Sequence, residues 1–163
     1  MAIREALANC ADWEDPRSFE GNSLRLACRL AKPADADEIA EAWSDQELPP
    51  GAEDLWLTCR DADLFVDVDY GQWGLKLLSP TASAARSARE RDARRADFRE
   101  GDVIIGEFLG DQDLVVIDDS GRVLVALPLD GRADWPRPAV SLAEFLSDYV
   151  SANGAKYWET SSS

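Results

Sequence analysis

Hydrophobic positions in residues 101–136, GDVIIGEFLGDQDLVVIDDSGRVLVALPLDGRADWP, fall into three short runs: 103–105 with 108–109, 114–117, and 123–129. Gly110-Asp111, Asp118-Asp119-Ser120-Gly121 and Asp130-Gly131 punctuate them. Apolar runs of this length between Gly and Asp clusters predict successive β-strands joined by tight turns. The acids lie in the punctuation, so the stretch predicts a sheet with an acidic rim. Gly106 and Gly110 match neither a dinucleotide fingerprint nor a P-loop and are read as marks of a bulge or a close backbone approach.

The rest of the chain surrounds that sheet with helices and further strands. Ile3, Ala6, Leu7 and Cys10 recur at helical spacing, and a polar loop at 15–22 follows around Pro16 and Gly21. Leu24, Leu26, Cys28 and Leu30 alternate with Arg25, Ala27 and Arg29, a strand with one buried face. Asp35 and Glu38 make a capping box ahead of a stripe at Ala36, Ile39, Ala40 and Trp43. Leu48-Pro49-Pro50 introduces a second stripe at Ala52, Leu55, Trp56 and Cys59.

Two more strands are predicted where Leu64, Val66 and Val68 alternate with Phe65, Asp67 and Asp69, and where Trp73, Leu75 and Leu77 alternate with Gly74 and Lys76. Residues 81–99 are rich in Ala and Arg. They predict an exposed or partly mobile helix, packed by Ala82, Ala85, Ala88, Ala96 and Phe98. Ser141 and Glu144 cap a last helix with the stripe Leu142, Phe145, Leu146, Tyr149 and Val150, ended by Asn153-Gly154. Tyr157-Trp158 is expected to dock on the body and 160–163 to be a disordered tail. The fold class expected is α+β, a single domain with a central, mostly antiparallel sheet of about six strands flanked by helices. Residues 1–32 are read as a helix and first strand packed on the body, 33–159 as the main domain, and 80–99 as an Arg-rich helix or insert.

Composition narrows the partners. Within 163 residues, 32 acids face 17 bases, a net charge of −15. Phosphate binding needs Lys and Arg, so nucleic acid and anionic membrane are excluded as partners. The charge serves solubility, or it steers a basic protein partner. Cys10, Cys28 and Cys59 form no CxxC and read as reduced thiols in a cytoplasmic protein. Arg4 and Glu5 interrupt the N-terminus, so no signal peptide is expected.

Candidate chemistry is sparse. There is no histidine, which removes Ser-His-Asp and Cys-His catalysis and most transition-metal sites. Asp61, Asp63, Asp67 and Asp69 form an acid cluster. An EF-hand frame begun at Asp67 puts Gly71 and Leu78 at ligand positions, so the cluster reads as a solvated strand face or a docking surface. Glu107 with Asp111 or Asp113 is the one conceivable carboxylate pair for hydrolysis, without a nucleophile, base or metal to support it. The chain is therefore read as non-catalytic, with no cofactor and no metal. Trp43 and Trp56 belong to core stripes, whereas Trp73, Trp135 and Trp158 serve either as interface anchors or as caps of a small core.

Leu48-Pro49-Pro50, Leu55-Trp56 and Asp63-Leu64-Phe65 together resemble the entry pattern of the SUKH superfamily. The run 101–111 is similar to its central strands, and Pro128-Leu129-Asp130, Asp134-Trp135-Pro136 and 141–145 to its closing pattern. The superfamily includes fungal cell-wall-assembly regulators and bacterial toxin-immunity proteins. The resemblance spans roughly 33–158 and implies an α+β fold and a non-enzymatic binding role, often the blocking of a cognate, frequently basic, nuclease toxin. The expected partner is thus a basic protein, a cognate toxin. The expected contact residues are Asp67, Asp69, Tyr70, Trp73, Glu107, Asp111, Asp113, Asp130 and Trp135. The alternatives are a regulatory scaffold of the same fold and a carboxylate-based hydrolase.

Overall fold

Six strands pair antiparallel in the order in which the chain makes them, in a computed structural model that describes residues 2–10, 25–44 and 46–159. They are β1 (Leu26–Leu30), β2 (Ala62–Asp67), β3 (Leu75–Leu77), β4 (Val103–Phe108), β5 (Leu114–Ile117) and β6 (Val123–Ala126). The sheet is open, and the fold is α+β as expected. The predicted loop at 15–22, Leu24 of the first strand and the tail at 160–163 lie outside the described residues.

Helices α1 (Ile3–Ala8), α2 (Ala36–Ala42), α3 (Ala52–Thr58) and α5 (Leu142–Ser151) contribute to one core with one face of the sheet. Val103, Ile105, Val115, Ile117, Val123 and Val125 line that face. Ile104, Leu114, Val116, Leu124 and Ala126 point the other way, into a second core with Leu78, Phe98 and Trp135. β4 to β6 are thus covered on both faces, which is why their apolar runs are continuous rather than alternating. The α5 stripe is wholly buried, each large side chain contributing about 1.5–3 kcal/mol. Its Ser141 cap forms, with the Glu144 amide donating to Ser141 Oγ at 3.1 Å, while the Glu144 carboxylate accepts from the Val140 amide in place of the Ser141 amide of a full capping box. Asp35 caps α2 in the same way at 2.8 Å, but the Glu38 side chain accepts from Arg60 instead of returning to the cap. The α2 stripe is narrower than predicted: Ile39 and Trp43 are buried, Ala36 and Ala40 exposed.

Two bulges redirect side chains. In β2, Leu64 and Phe65 together oppose Cys28, because Ala27 pairs with Val66 and Arg29 with Asp63. Phe65 takes φ 55° and turns into the core beside Tyr149, 5.6 Å between ring centroids. After the bulge the parity is reversed. Asp67 faces inward and Val68 outward, at 2% and 54% exposure, which corrects the alternation expected for 64–69. In β4, Ile105 is the extra residue, and the shift lets Phe108 join the first core while Glu107 turns toward Arg86.

α4 (Pro80–Ala93) also departs from expectation. Ala82, Ala85, Ala88 and Ala96 are exposed, and the helix packs through Ser83 and Ser87. β3 is three residues long and leaves Ile104 of β4 without a strand partner on that side. The Ser83 hydroxyl donates to the Ile104 carbonyl at 2.5 Å, and the Ile104 amide donates to Ser87 Oγ at 2.9 Å. Two serines one helical turn apart therefore substitute for a missing strand. Among the described residues no helix is long and apolar enough to cross a membrane.

Candidate binding surface

The strand register brings most of the nominated residues to one end of the sheet. β2 ends there at Asp67, β4 at Phe108 and β6 at Ala126, with the β2–β3 and β4–β5 turns side by side. The Leu109 amide donates to the Gly74 carbonyl at 2.9 Å and ties those turns together. Gly110 makes the close approach expected of it: a Cβ there would lie 2.4 Å from the Gln72 carbonyl oxygen.

Most acids at this end are already neutralised inside the protein. Asp69 binds Arg25 through both oxygens, at 2.6 and 3.0 Å, and the guanidinium holds its carboxyl below the usual range. At the other end of β2, Arg29 takes Asp61 and Asp63, both at 2.9 Å. The acid cluster is therefore a cross-strand ion-pair ladder with β1, not an open face. Asp67 is an interior turn cap, its Oδ1 accepting from the Asp69 and Tyr70 amides at 3.0 and 3.2 Å. Asp113 is 5% exposed and shares Lys156 with Asp111. Burial pushes the Asp113 carboxyl up, against the pull of Lys156, 3.0 Å away. Glu107 meets Arg86 at 3.1 Å.

Trp135 is also interior, at 2% exposure. Its indole N–H donates to the Asp130 carbonyl at 3.0 Å, and its ring lies against Phe98 between Arg94 and Arg132. Asp67, Asp113 and Trp135 are thus corrections to the expected contact surface. Tyr70 at 69% exposure, the half-buried Trp73 and the exposed Asp130 remain accessible. Burial also pushes the Cys59 thiol up to about 11, so it is protonated at neutral pH.

The unpaired negative charge lies elsewhere. Glu5, Asp37, Glu41, Glu53, Asp54 and Asp148 are exposed on α1, α2, α3 and α5, and Glu47 lies between α2 and α3. None of these acids forms an ion pair with a described residue, and Arg4 is the one base on the four helices. Between α2 and α3 a groove of about 350 Å³ has Ala36, Ile39, Ala40, Trp43 and Leu48 as its apolar lining and Glu47 and Glu53 as its acids. Trp43 Nε1 and Gln46 Nε2, on residues of the same lining, are buried donors without a hydrogen-bond partner among the described residues. Buried donors of this kind are rare, and each calls for an acceptor, a water molecule included. Sequence reasoning placed Trp43 and Ile39 in the core and missed the groove. The legible signal was the row of acids opposite the apolar stripes of both helices.

No protein-family model matches this chain, and no curated protein matches it.

Proposed function

We propose that the chain is a non-catalytic binding protein that neutralises a basic protein partner, in the manner of a toxin-immunity protein, by covering it with its acidic helical layer. One observation carries this reading: the α2–α3 groove combines an apolar floor with two N–H donors and two carboxylates that have no partner among the described residues. An Arg or Lys of the partner would lay its aliphatic stem on Ala36, Ala40 and Leu48 and its charge against Glu47 and Glu53. The unpaired acids around the groove would steer a basic partner and speed encounter. The resemblance to toxin-immunity proteins supplies the kind of partner. Co-expression with the product of the adjacent gene tests it. Rescue from that product's toxicity, with a complex on purification, supports the proposal. A non-toxic neighbour that forms no complex overturns it in favour of a regulatory scaffold.

A further inference from the structure

At the opposite end of the sheet, Arg99, Arg122, Arg132 and Arg137 converge with Asp118 and Leu124 around a depression of about 320 Å³. Arg99 precedes β4, Arg122 closes the β5–β6 turn, and Arg132 and Arg137 belong to the segment after β6. Three separate stretches of chain therefore point guanidiniums at one place, in a protein with nearly twice as many acids as bases. The Arg132 fork is fixed by Asp102 beneath it, at 2.5 and 3.0 Å. The Asp118 carboxylate on the wall is also occupied. Burial would push it up, but hydrogen bonds from Ser120 and the Arg122 amide outweigh that and hold it below the usual range. The side chains of Arg99, Arg122 and Arg137 make no hydrogen bond or ion pair with any described residue. Four guanidiniums against two carboxylates leave the depression locally positive, and like charges held together without a counter-ion repel.

We infer that this depression is a binding site for a small phosphate-bearing anion. A planar carboxylate matches the geometry of one guanidinium fork, as Asp102 does that of Arg132. Several forks approaching from different elements suit a ligand that presents oxygens in several directions, which a phosphoryl group does and a diphosphate does twice. The volume falls in the range of small-ligand sites. The site is separate from the α2–α3 groove and does not depend on the function proposed for it.

Calorimetric titration of the full chain with sodium pyrophosphate at constant ionic strength tests the inference, with citrate and inorganic phosphate as parallel titrants. The expected result is saturable binding of pyrophosphate at one site with Kd below about 1 mM. Binding should weaken at least about tenfold in the Arg122→Ala/Arg137→Ala variant, and also in Arg99→Ala, since all three side chains are exposed and their loss leaves the core intact. Arg95→Ala, an exposed residue paired with Asp92, should bind as the wild type does. Absence of saturable binding, or binding by both of these arginine variants equal to that of the wild type, overturns the site. Citrate binding as tight as pyrophosphate overturns its assignment to phosphate.

Discussion

Arg132 and Asp102 form a two-pronged ion pair in which the carboxylate is 2% exposed. Asp102 lies just before β4 and Arg132 in the segment after β6, so the pair straps that segment over the second core, with Trp135 beneath the guanidinium. Asp102 also accepts the Arg99 amide at 2.7 Å. Arg132→Ala leaves a buried carboxylate without its cation and is expected to cost about 3–5 kcal/mol. Adding Asp102→Asn to that variant should recover part of the loss. Urea denaturation of the two variants checks both figures, and equal stability of Arg132→Ala and wild type would refute the strap.

Lys156 is 7% exposed, bound to Asp111 and Asp113, with its ammonium 4.6 Å from the Phe108 ring centroid. Lys156→Ala should destabilise by about 3–5 kcal/mol at pH 7, because Asp113 is then buried and charged without a partner. The Asp113 carboxyl already titrates above its ordinary value through burial, and loss of Lys156 raises it further. An acid with a raised folded-state pKa destabilises fully above that pKa, and the penalty fades as the pH falls from there to the ordinary value. The gap between variant and wild type should therefore narrow as the pH is lowered from 7 through that raised pKa toward the ordinary carboxylate value near 4. Thermal melts of both proteins across that range test the sign: a gap that widens toward acid contradicts the assignment.

Gly74 adopts φ +114°, and a Cβ there would lie 2.6 Å from both the Phe65 carbonyl oxygen and the Val66 Cα. Both contacts are backbone of the β2 bulge, which has no room to yield. Gly74→Ala should cost about 2–4 kcal/mol. Gly71→Ala, with φ +61° but open space around it, should cost less. Paired chemical denaturation curves rank the two.

Ser83→Ala removes the hydroxyl that serves the Ile104 carbonyl and leaves a buried acceptor unmet. The expected cost is about 1–3 kcal/mol, although serine to alanine raises helix propensity. Faster amide exchange at β4 in this variant, with α5 unchanged, would locate the effect.

Glu47→Lys with Glu53→Lys reverses charge at the rim of the α2–α3 groove and should lower the association rate with the partner by about tenfold or more, leaving stability within about 0.5 kcal/mol. Wild-type association should slow as salt rises, because steering is screened. Stopped-flow rates that ignore both changes would remove the groove from the interface.

Much of the fold was legible. The α3 and α5 stripes, the Asp35 and Ser141 caps and the three strands of 101–136 follow from spacing and turn chemistry, which act over a few residues. The parity of β2 and β4 was not legible, because a bulge adds one residue and is decided by what the partner strand and the core accept. Nor was the packing face of α4, where serine hydroxyls matched to one backbone position outweigh a row of alanines. The reading of the acid cluster at 61–69 as an open face failed for the same reason. Asp61, Asp63 and Asp69 look unpaired along the chain and meet Arg25 and Arg29 across the sheet.

The sequence by itself determined the element types and the sign of the net charge, since each depends on local periodicity or on composition. Only the tertiary structure decided which charges are free. Ion pairs form between residues distant along the chain, so pairing cancels the acids at the sheet end, leaves those on the helical layer open, and gathers four arginines at the other end.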